Sequence, residues 1–154
     1  MDISVVIPLY NEAESLPELF AWIERVMKEH NFTYEIIFVN DGSTDNSWEV
    51  IQELQQKNSC IKAIKFRRNY GKSPGLHCGF QRAKGDVVIT MDADLQDDID
   101  AIDAMLAAFQ NGNDIVYGVR ASRKQDSVFK RATAQGYYRL LRALGADVVY
   151  NHAD

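Results

Sequence analysis

At 154 residues the chain has the length of one ordinary domain, and its 46% hydrophobic content is enough for a full core. The net charge of −5 gives no support for bulk nucleic-acid binding. Two cysteines without metal-ligand spacing argue against a disulfide framework, so we expect reduced thiols and a cytoplasmic chain. We also expect no signal peptide and no transmembrane segment, because the first strand pattern begins at residue 3 and no apolar run approaches the roughly 20 residues of a membrane span.

Strand and helix patterns alternate along the chain. Short apolar or alternating runs predict five strands, at residues 4–7, 34–39, 61–66, 86–91 and 114–118. Helical spacing of apolar residues predicts five helices, at residues 15–27, 45–57, 73–83, 99–109 and 128–144. The first helix opens on Ser15-Leu16-Pro17-Glu18, which has the form of a capping box. This order predicts an α/β domain with a mostly parallel sheet and helices on both faces.

Three of these strands are followed by polar and acidic residues. The first runs into Pro8–Glu12, the second into Asn40–Asp45, and the fourth, expected to be buried, into Asp92-Ala93-Asp94. In an open parallel sheet, ligands collect beyond the carboxyl ends of the strands. Carboxylates there suit Mg²⁺ or Mn²⁺, which prefer oxygen ligands and bridge to phosphates. An isolated Asp-x-Asp is as readily a pair of solvated loop residues, but three converging strand ends favour a site.

Other nucleotide-binding patterns fit less well. Gly71-Lys72-Ser73 imitates the end of a P-loop, but Phe66 stands where that loop needs its first glycine. No G-x-G-x-x-G follows the first strand, and no G-x-S-x-G nucleophile elbow is present. A phosphoacceptor role for Asp41 or Asp92 remains open, although it would leave the Pro8–Glu12 segment unexplained.

Four motifs together resemble family 2 glycosyltransferases. They are Val5–Glu12, Val39–Asp45, Arg68–Lys72 and Met91–Gln96, and they occur in the family's order and roughly its spacing. The likeness is greatest to the branch that contains dolichol-phosphate mannose synthase and bacterial polyprenyl-phosphate glycosyltransferases. It extends over residues 3 to 154. It implies a GT-A type nucleotide-diphospho-sugar transferase fold, with a Rossmann-like sheet.

The resemblance also implies roles for individual residues. The residues implied to bind the nucleotide of a UDP- or GDP-sugar donor are Pro8, Tyr10, Glu12, Asp41, Gly42, Ser43, Asn69, Lys72 and Asp92. Among them, Asp41 would accept a hydrogen bond from the base, Gly42 and Ser43 would let backbone come close, and Lys72 would face the diphosphate. Asp94 and Gln96 match metal ligands, and the implied catalytic residues are Asp92, Asp94 and Asp154. The cofactor would be Mg²⁺ or Mn²⁺, which neutralises the leaving diphosphate.

The implied reaction transfers a sugar, with inversion, to an acceptor that is a polyprenyl phosphate or a saccharide. An acceptor phosphate could be held by a basic stretch whose members are Arg120, Arg123, Lys124, Lys130 and Arg131. The same stretch could instead be a solvated helix face or a contact with an anionic membrane surface at the inner face of the membrane.

The chain departs from the family pattern at two places. Asp97–Asp100 replaces an Asp-Pro-Pro-Glu turn, and Pro74-Gly75 stands where helix-forming residues are usual, which predicts a late start for the third helix. Family members also continue through an acceptor-binding half. We therefore expect residues 1–154 to be one nucleotide-sugar-binding domain that stops before that half is complete, and a binding fragment without turnover remains the alternative.

Overall fold

The computed structural model describes residues 1–96 and 101–118. In chain order the elements are β1 Ile3–Leu9, α1 Leu16–Glu29, β2 Tyr34–Asn40, α2 Ser47–Lys57, β3 Ile61–Lys65, α3 Lys72–Arg82, β4 Val87–Thr90 and α4 Ile102–Gln110. The predicted helix at 128–144 lies outside the described residues, as do the basic stretch and Asp154. The chain divides into two units at residue 100, and the described part of each is considered by itself.

The first unit is built on a four-stranded sheet in the order β3-β2-β1-β4. Every pairing is parallel, and Val6 of β1 lies opposite Ile37 of β2 on one side and Thr90 of β4 on the other. The two central strands are buried along almost their whole length, because each is a nearly continuous apolar run. The parallel α/β architecture predicted from the sequence is confirmed.

The helices of this unit present the apolar faces that the sequence spacing predicts. All six apolar positions expected to face the core from α1 are buried: Leu16, Leu19, Phe20, Ile23, Val26 and Met27. Helix α3 packs on β1 and β2, where Leu76 joins a cluster around Val6, Ile37 and Val39. Gly79 of α3 lies so close to Val6 that a Cβ atom would overlap the valine Cγ1 atom. Gly75, near the start of α3, faces Pro8 and Val39, so the start of this helix is held against the carboxyl end of the central strands.

Two predictions about helix starts are wrong. The capping box does not form, because the Ser15 hydroxyl donates to the Glu12 carbonyl at 3.0 Å and to its carboxylate at 3.2 Å rather than capping α1. Helix α3 does not start late either. It begins at Lys72, since Pro74 falls in the first turn, where a helix leaves its N–H groups without intrahelical partners anyway.

Two predicted strands also differ from expectation. β4 has four residues and alternates between partly buried and exposed, because within the described sheet it is an outer strand paired with β1. Residues 114–118 form no strand, and Ile115 is 82% exposed. The alternating apolar pattern did not produce a strand there, because a strand needs a neighbouring strand, and residues 114–118 pair with none in the described sheet.

The described part of the second unit is α4 and the residues after it. Ile102 and Leu106 are its buried side chains, and the helix is followed by Gly112, whose φ of +94° suits a glycine. None of the helices in residues 1–96 and 101–118 has the length and apolar content required to cross a membrane.

Candidate functional site

The loops that follow β1, β2, β3 and β4 lie at the carboxyl end of the sheet, where the sequence predicted a site. Asp41 extends the pairing of β1 with β2, because its N–H donates to the Leu9 carbonyl at 2.9 Å. On the other side of β2, the Phe66 N–H donates to the Asn40 carbonyl at 2.9 Å. Residues 40 and 41 are thus hydrogen-bonded to the last residue of β1 on one side and to the residue after β3 on the other.

The Asp41 carboxylate is buried, with only 4% of the residue exposed. Its Oδ1 atom accepts a hydrogen bond from the Tyr70 N–H at 2.7 Å, and its Oδ2 atom accepts one from the Gly71 N–H, also at 2.7 Å. Both oxygens are thus directed at the loop that leads into α3. A carboxylate has about four lone-pair positions, so these two bonds leave acceptor capacity for a further donor.

Gly42 brings the backbone after β2 into direct contact with the same loop. Its φ is +69°, and a Cβ atom there would lie 2.7 Å from the Asn69 nitrogen and closer still to the Arg68 backbone. No side chain fits in that space. Gly42 therefore lies directly against the backbone of Arg68 and Asn69.

Lys72 and Asp92 meet across the site. The Lys72 ammonium lies 2.6 Å from the Asp92 Oδ1 atom, and both side chains are partly exposed, at 51% and 40%. Lys72 is the first residue of α3, and Asp92 follows β4. A cation at the start of α3 and a carboxylate in the loop after β4 therefore form an ion pair that is accessible to a ligand.

A second hydrogen-bond network joins the loop after β1 to the start of α2. Asn11, in the left-handed region at φ +58°, accepts from the Thr44 N–H at 2.8 Å, and the Glu12 N–H donates to the Ser47 hydroxyl at 2.9 Å. The Asp45 carboxylate accepts from Ser47 and, at 3.1 Å, from the Ala13 N–H. Partial burial acts to raise the pKa of Asp45, but these hydrogen bonds outweigh it and hold the pKa below its usual value.

An open cleft of about 490 Å³ adjoins this network. Its lining consists of Asn11, Glu12, Ala13, Glu14, Ser15, Asp45 and Asn46. Three of these side chains are acidic, so the cleft repels a diphosphate, whereas Lys72 on the other side of the site attracts one.

The remaining described site residues differ in exposure. Pro8 is buried beneath α3. A Cβ atom added to Gly75 of that helix would lie 3.2 Å from the Pro8 Cβ atom. Tyr10 is 43% exposed, and Asn69 is exposed on the loop before α3.

Ser43 accepts a hydrogen bond from the Asn11 N–H at 3.0 Å and donates its own N–H to the Asn40 side chain at 2.8 Å. Ser43 thus links the first two loops.

The residues expected to bind a metal form a short exposed turn after β4. Asp94 and Gln96 are both exposed, and the Gln96 N–H donates to the Asp94 Oδ1 atom at 3.1 Å. Leu95 between them adopts φ +60°, a strained value for a branched residue. In the described residues no three acidic, histidine or cysteine side chains are grouped as a metal site. The turn suits a hard cation that takes most of its ligands from water and a bound diphosphate.

The amino-acid sequence matches the family described as glycosyl transferase family 2 over residues 4–153. The chain belongs to this family.

Two known proteins that are similar to this chain are longer than it. It is 40% identical to the uncharacterized glycosyltransferase YkoT of Bacillus subtilis, over 99% of this chain and 48% of that protein. It is 44% identical to the undecaprenyl-phosphate 4-deoxy-4-formamido-L-arabinose transferase of Pseudomonas savastanoi, over 84% of this chain and 38% of that protein. The chain therefore spans less than half the length of these relatives.

A solved structure shows the same fold. The mannosyltransferase PcManGT from Pyrobaculum calidifontis, in complex with GDP-Man and Mn²⁺, is similar with a TM-score of 0.62 at 20% identity. The match covers 91% of this chain and 38% of that one. The prediction of a GT-A type fold is confirmed.

Sequence reasoning missed several residues that shape this candidate site. Asn11 and Asp45 hold two of the loops together, and Tyr70 contributes the N–H that Asp41 accepts. Asn11 and Asp45 both lie in motifs that the sequence had already singled out, so turn-forming Asn and Asp next to a strand end were the available signal. The Tyr70 contact is made by backbone and left no side-chain signal.

Proposed function

We propose that this chain binds a nucleotide-diphosphate sugar and takes part in transferring the sugar, with inversion, to a polyprenyl phosphate. The observation that carries the proposal is that Lys72, at the start of α3, pairs with Asp92 after β4, while the preceding residue, Gly71, donates to Asp41 after β2. Family membership supports the reaction class. The name of the Pseudomonas savastanoi relative supports an undecaprenyl-phosphate acceptor.

On the donor side, the base and ribose would lie near Pro8, Tyr10 and Glu12. Tyr10 offers an exposed ring there. The diphosphate would lie toward Lys72, which can exchange its ion pair with Asp92 for contacts with phosphate oxygens. Asn69, Gly42 and Ser43 belong to the two loops that would flank the nucleotide.

The residues present suit a divalent cation, Mg²⁺ or Mn²⁺. Asp94 and Gln96 would hold the ion, since their side chains are exposed on one short turn with oxygen donors. When bound, the ion would supply positive charge to the leaving diphosphate. The solved mannosyltransferase structure with GDP-Man and Mn²⁺ is consistent with this assignment.

On the acceptor side, a phosphate is already ionised near neutral pH, so the reaction needs no strong general base. The basic stretch from Arg120 to Arg131 would bind that phosphate, and Asp154 would lie near the acceptor. Arginine side chains suit this role because their planar guanidinium groups bind phosphate through two parallel hydrogen bonds.

Calorimetry on the 154-residue chain tests the donor site. UDP- and GDP-sugars are titrated with Mn²⁺, with Mg²⁺ and with EDTA. We expect binding that requires metal, and Asp94→Asn should weaken it at least about tenfold, or about 1.4 kcal/mol. Asp86→Asn, an exposed carboxylate before the opposite end of β4, is the matched control and should bind like the parent. Equal affinity in EDTA and in Mn²⁺ would contradict the metal assignment.

A transfer assay tests the acceptor. A radiolabelled donor is offered together with polyprenyl phosphate or with a saccharide. Label in the polyprenyl phosphate product supports the proposal, and label only in the saccharide overturns the acceptor assignment. If the donor binds but neither acceptor is labelled, the chain is a binding fragment without turnover.

A further inference from the structure

The loop between β3 and α3 is held at both ends by two consecutive residues, Asn40 and Asp41. At its start, the Phe66 N–H donates to the Asn40 carbonyl at 2.9 Å. At its end, the Tyr70 and Gly71 N–H groups donate to the Asp41 carboxylate at 2.7 Å each. We call residues 67–71 the basic loop, because it contains Arg67 and Arg68, both of which are exposed.

The basic loop leads directly into the residue that faces Asp92. Gly71 precedes α3, and Lys72 is the first residue of that helix. Any shift of the Gly71 backbone therefore moves the base of the Lys72 side chain. Gly71 donates its N–H to Asp41, and the next residue, Lys72, carries the ammonium that pairs with Asp92 at 2.6 Å.

We propose that Asp41 is a positioning residue that holds the basic loop and thereby places Lys72 for the diphosphate of the donor. The inference rests on the proposed function for the identity of that ligand. It assigns Asp41 an effect on phosphate affinity that does not depend on the base. The nearby Asp45 differs, because its hydrogen bonds go to Ala13 and Ser47 and none goes to the basic loop.

Two features make Asp41 suited to this task. Its own backbone is fixed by the hydrogen bond to Leu9, so the carboxylate is attached to the sheet rather than to a mobile loop. Gly42 next to it allows the Arg68 and Asn69 backbone to pass within contact distance. A side chain at position 42 would push the basic loop away and leave Asp41 itself intact, which provides a second and independent way to disturb the same contact.

Amide hydrogen exchange tests the anchoring without any ligand. In the parent chain, the Tyr70 and Gly71 amides should exchange slowly although both residues lie in a largely exposed loop. Asp41→Asn should speed their exchange about tenfold or more, since one acceptor oxygen is replaced by a donor. Asp45→Asn also removes one negative charge from the loop between β2 and α2, and it should leave the exchange rates of both amides unchanged. Rapid exchange of both amides in the parent would overturn the inference even if no variant folds.

Binding of magnesium pyrophosphate and of uridine tests the consequence for the ligand. Asp41→Asn and Gly42→Ala should each weaken pyrophosphate binding about fivefold, and in a Lys72→Met background Asp41→Asn should add less than about twofold. If the Asp41→Asn chain binds pyrophosphate like the parent but no longer binds uridine, Asp41 acts only on the base. That result would overturn the inference.

The two proposals fail in different ways. If the parent chain binds no nucleotide sugar and no pyrophosphate, the proposed function fails, and with it the ligand part of this inference. If the parent binds both and the Tyr70 and Gly71 amides are protected, yet neither Asp41→Asn nor Gly42→Ala changes pyrophosphate affinity, the inference alone is overturned.

Discussion

Strand β2 carries a buried carboxylate near each end, and the two serve different purposes. Near its start, Glu35 accepts hydrogen bonds at 2.7 Å from the Ser4 hydroxyl and from the Lys84 N–H, and it pairs with the Lys62 ammonium. Just beyond its other end, Asp41 accepts two backbone N–H groups of the basic loop. Both are buried, and both accept two hydrogen bonds at 2.7 Å. Burial and hydrogen bonding therefore do not reveal which carboxylate belongs to a functional site.

The difference lies in what the bonded partners carry. The partners of Glu35 join β1, β3 and the turn after α3 at the amino end of the sheet, where the loops bring no cluster of site residues. The partners of Asp41 precede Lys72, whose ammonium is accessible at the carboxyl end. We expect Glu35 to contribute to the stability of the fold and Asp41 to the geometry of the site, and the following experiments can break or sharpen that contrast.

The largest effect should come from removing Glu35. Glu35→Ala leaves the Ser4 hydroxyl without its acceptor and Lys62 without its partner, and the Lys84 N–H keeps only its longer bond to the Ser4 Oγ atom at 3.1 Å. We therefore expect a loss of about 3 kcal/mol in the free energy of unfolding. Urea denaturation measures it. Glu35→Gln keeps the shape and one acceptor oxygen, and should lose less. Nucleotide affinity of the folded Glu35→Ala chain should match the parent, and a clear drop there would break the contrast with Asp41.

A smaller effect should appear as a dependence of stability on pH. Burial acts to raise the pKa of Glu35, but the Lys62 ammonium and the hydrogen bonds from Ser4 and Lys84 outweigh it and lower the pKa in the folded state. Between the folded pKa and the ordinary value of 4.5, the unfolded chain binds more protons. The contribution of Glu35 is therefore present above the ordinary value and is lost as the pH falls through the folded pKa.

Urea unfolding of the parent and of Glu35→Gln, from about pH 6 down to about pH 3, measures this contribution. The parent should lose more stability than the variant as the solution is acidified. Asp45 also has a lowered pKa, so some pH dependence should persist in the variant. Parallel curves for the two proteins would contradict the assigned role of the Glu35 charge.

The smallest effect on stability should come from Lys72. Its ion pair with Asp92 is partly exposed, and such pairs contribute roughly 0–1 kcal/mol. Lys72→Met should leave the free energy of unfolding nearly unchanged while weakening pyrophosphate binding. Lys28→Met is the matched control, because Lys28 pairs with Glu24 at 2.9 Å on the surface of α1. If both variants bind pyrophosphate equally well, Lys72 has no role in the site.

Much of this architecture was predictable from the sequence, because β1, β2 and α1 depend on local apolar periodicity. The expected convergence of strand ends follows from parallel pairing alone, and the structure brings Asp41, Lys72 and Asp92 to one edge. Burial of β4 was not predictable, since it depends on which strands lie beside it. The same applies to residues 114–118, where an alternating pattern has no partner in the described sheet.

The contacts within the site were harder to predict than its location. Asp41 reaches Tyr70 and Gly71 because Gly42 and Gly71 both adopt positive φ values, and a sequence does not state which glycines do so. The Ser15 hydroxyl could have capped the N–H groups at the start of α1 or bonded to Glu12 in the preceding turn, and it bonds to Glu12. In both cases the outcome depends on loop geometry, which apolar periodicity does not encode.

The tight seating of α3 limits how this protein could be re-engineered. Gly75 and Gly79 lie one helical turn apart: a Cβ atom at Gly79 would overlap Val6, and one at Gly75 would lie in tight contact, at 3.2 Å, with the Pro8 Cβ atom. A protein engineer who wishes to alter donor preference must treat that contact line as fixed. The solvent-facing positions of the helix and the exposed Tyr10 are the places where libraries of variants can be built without displacing the ammonium of Lys72.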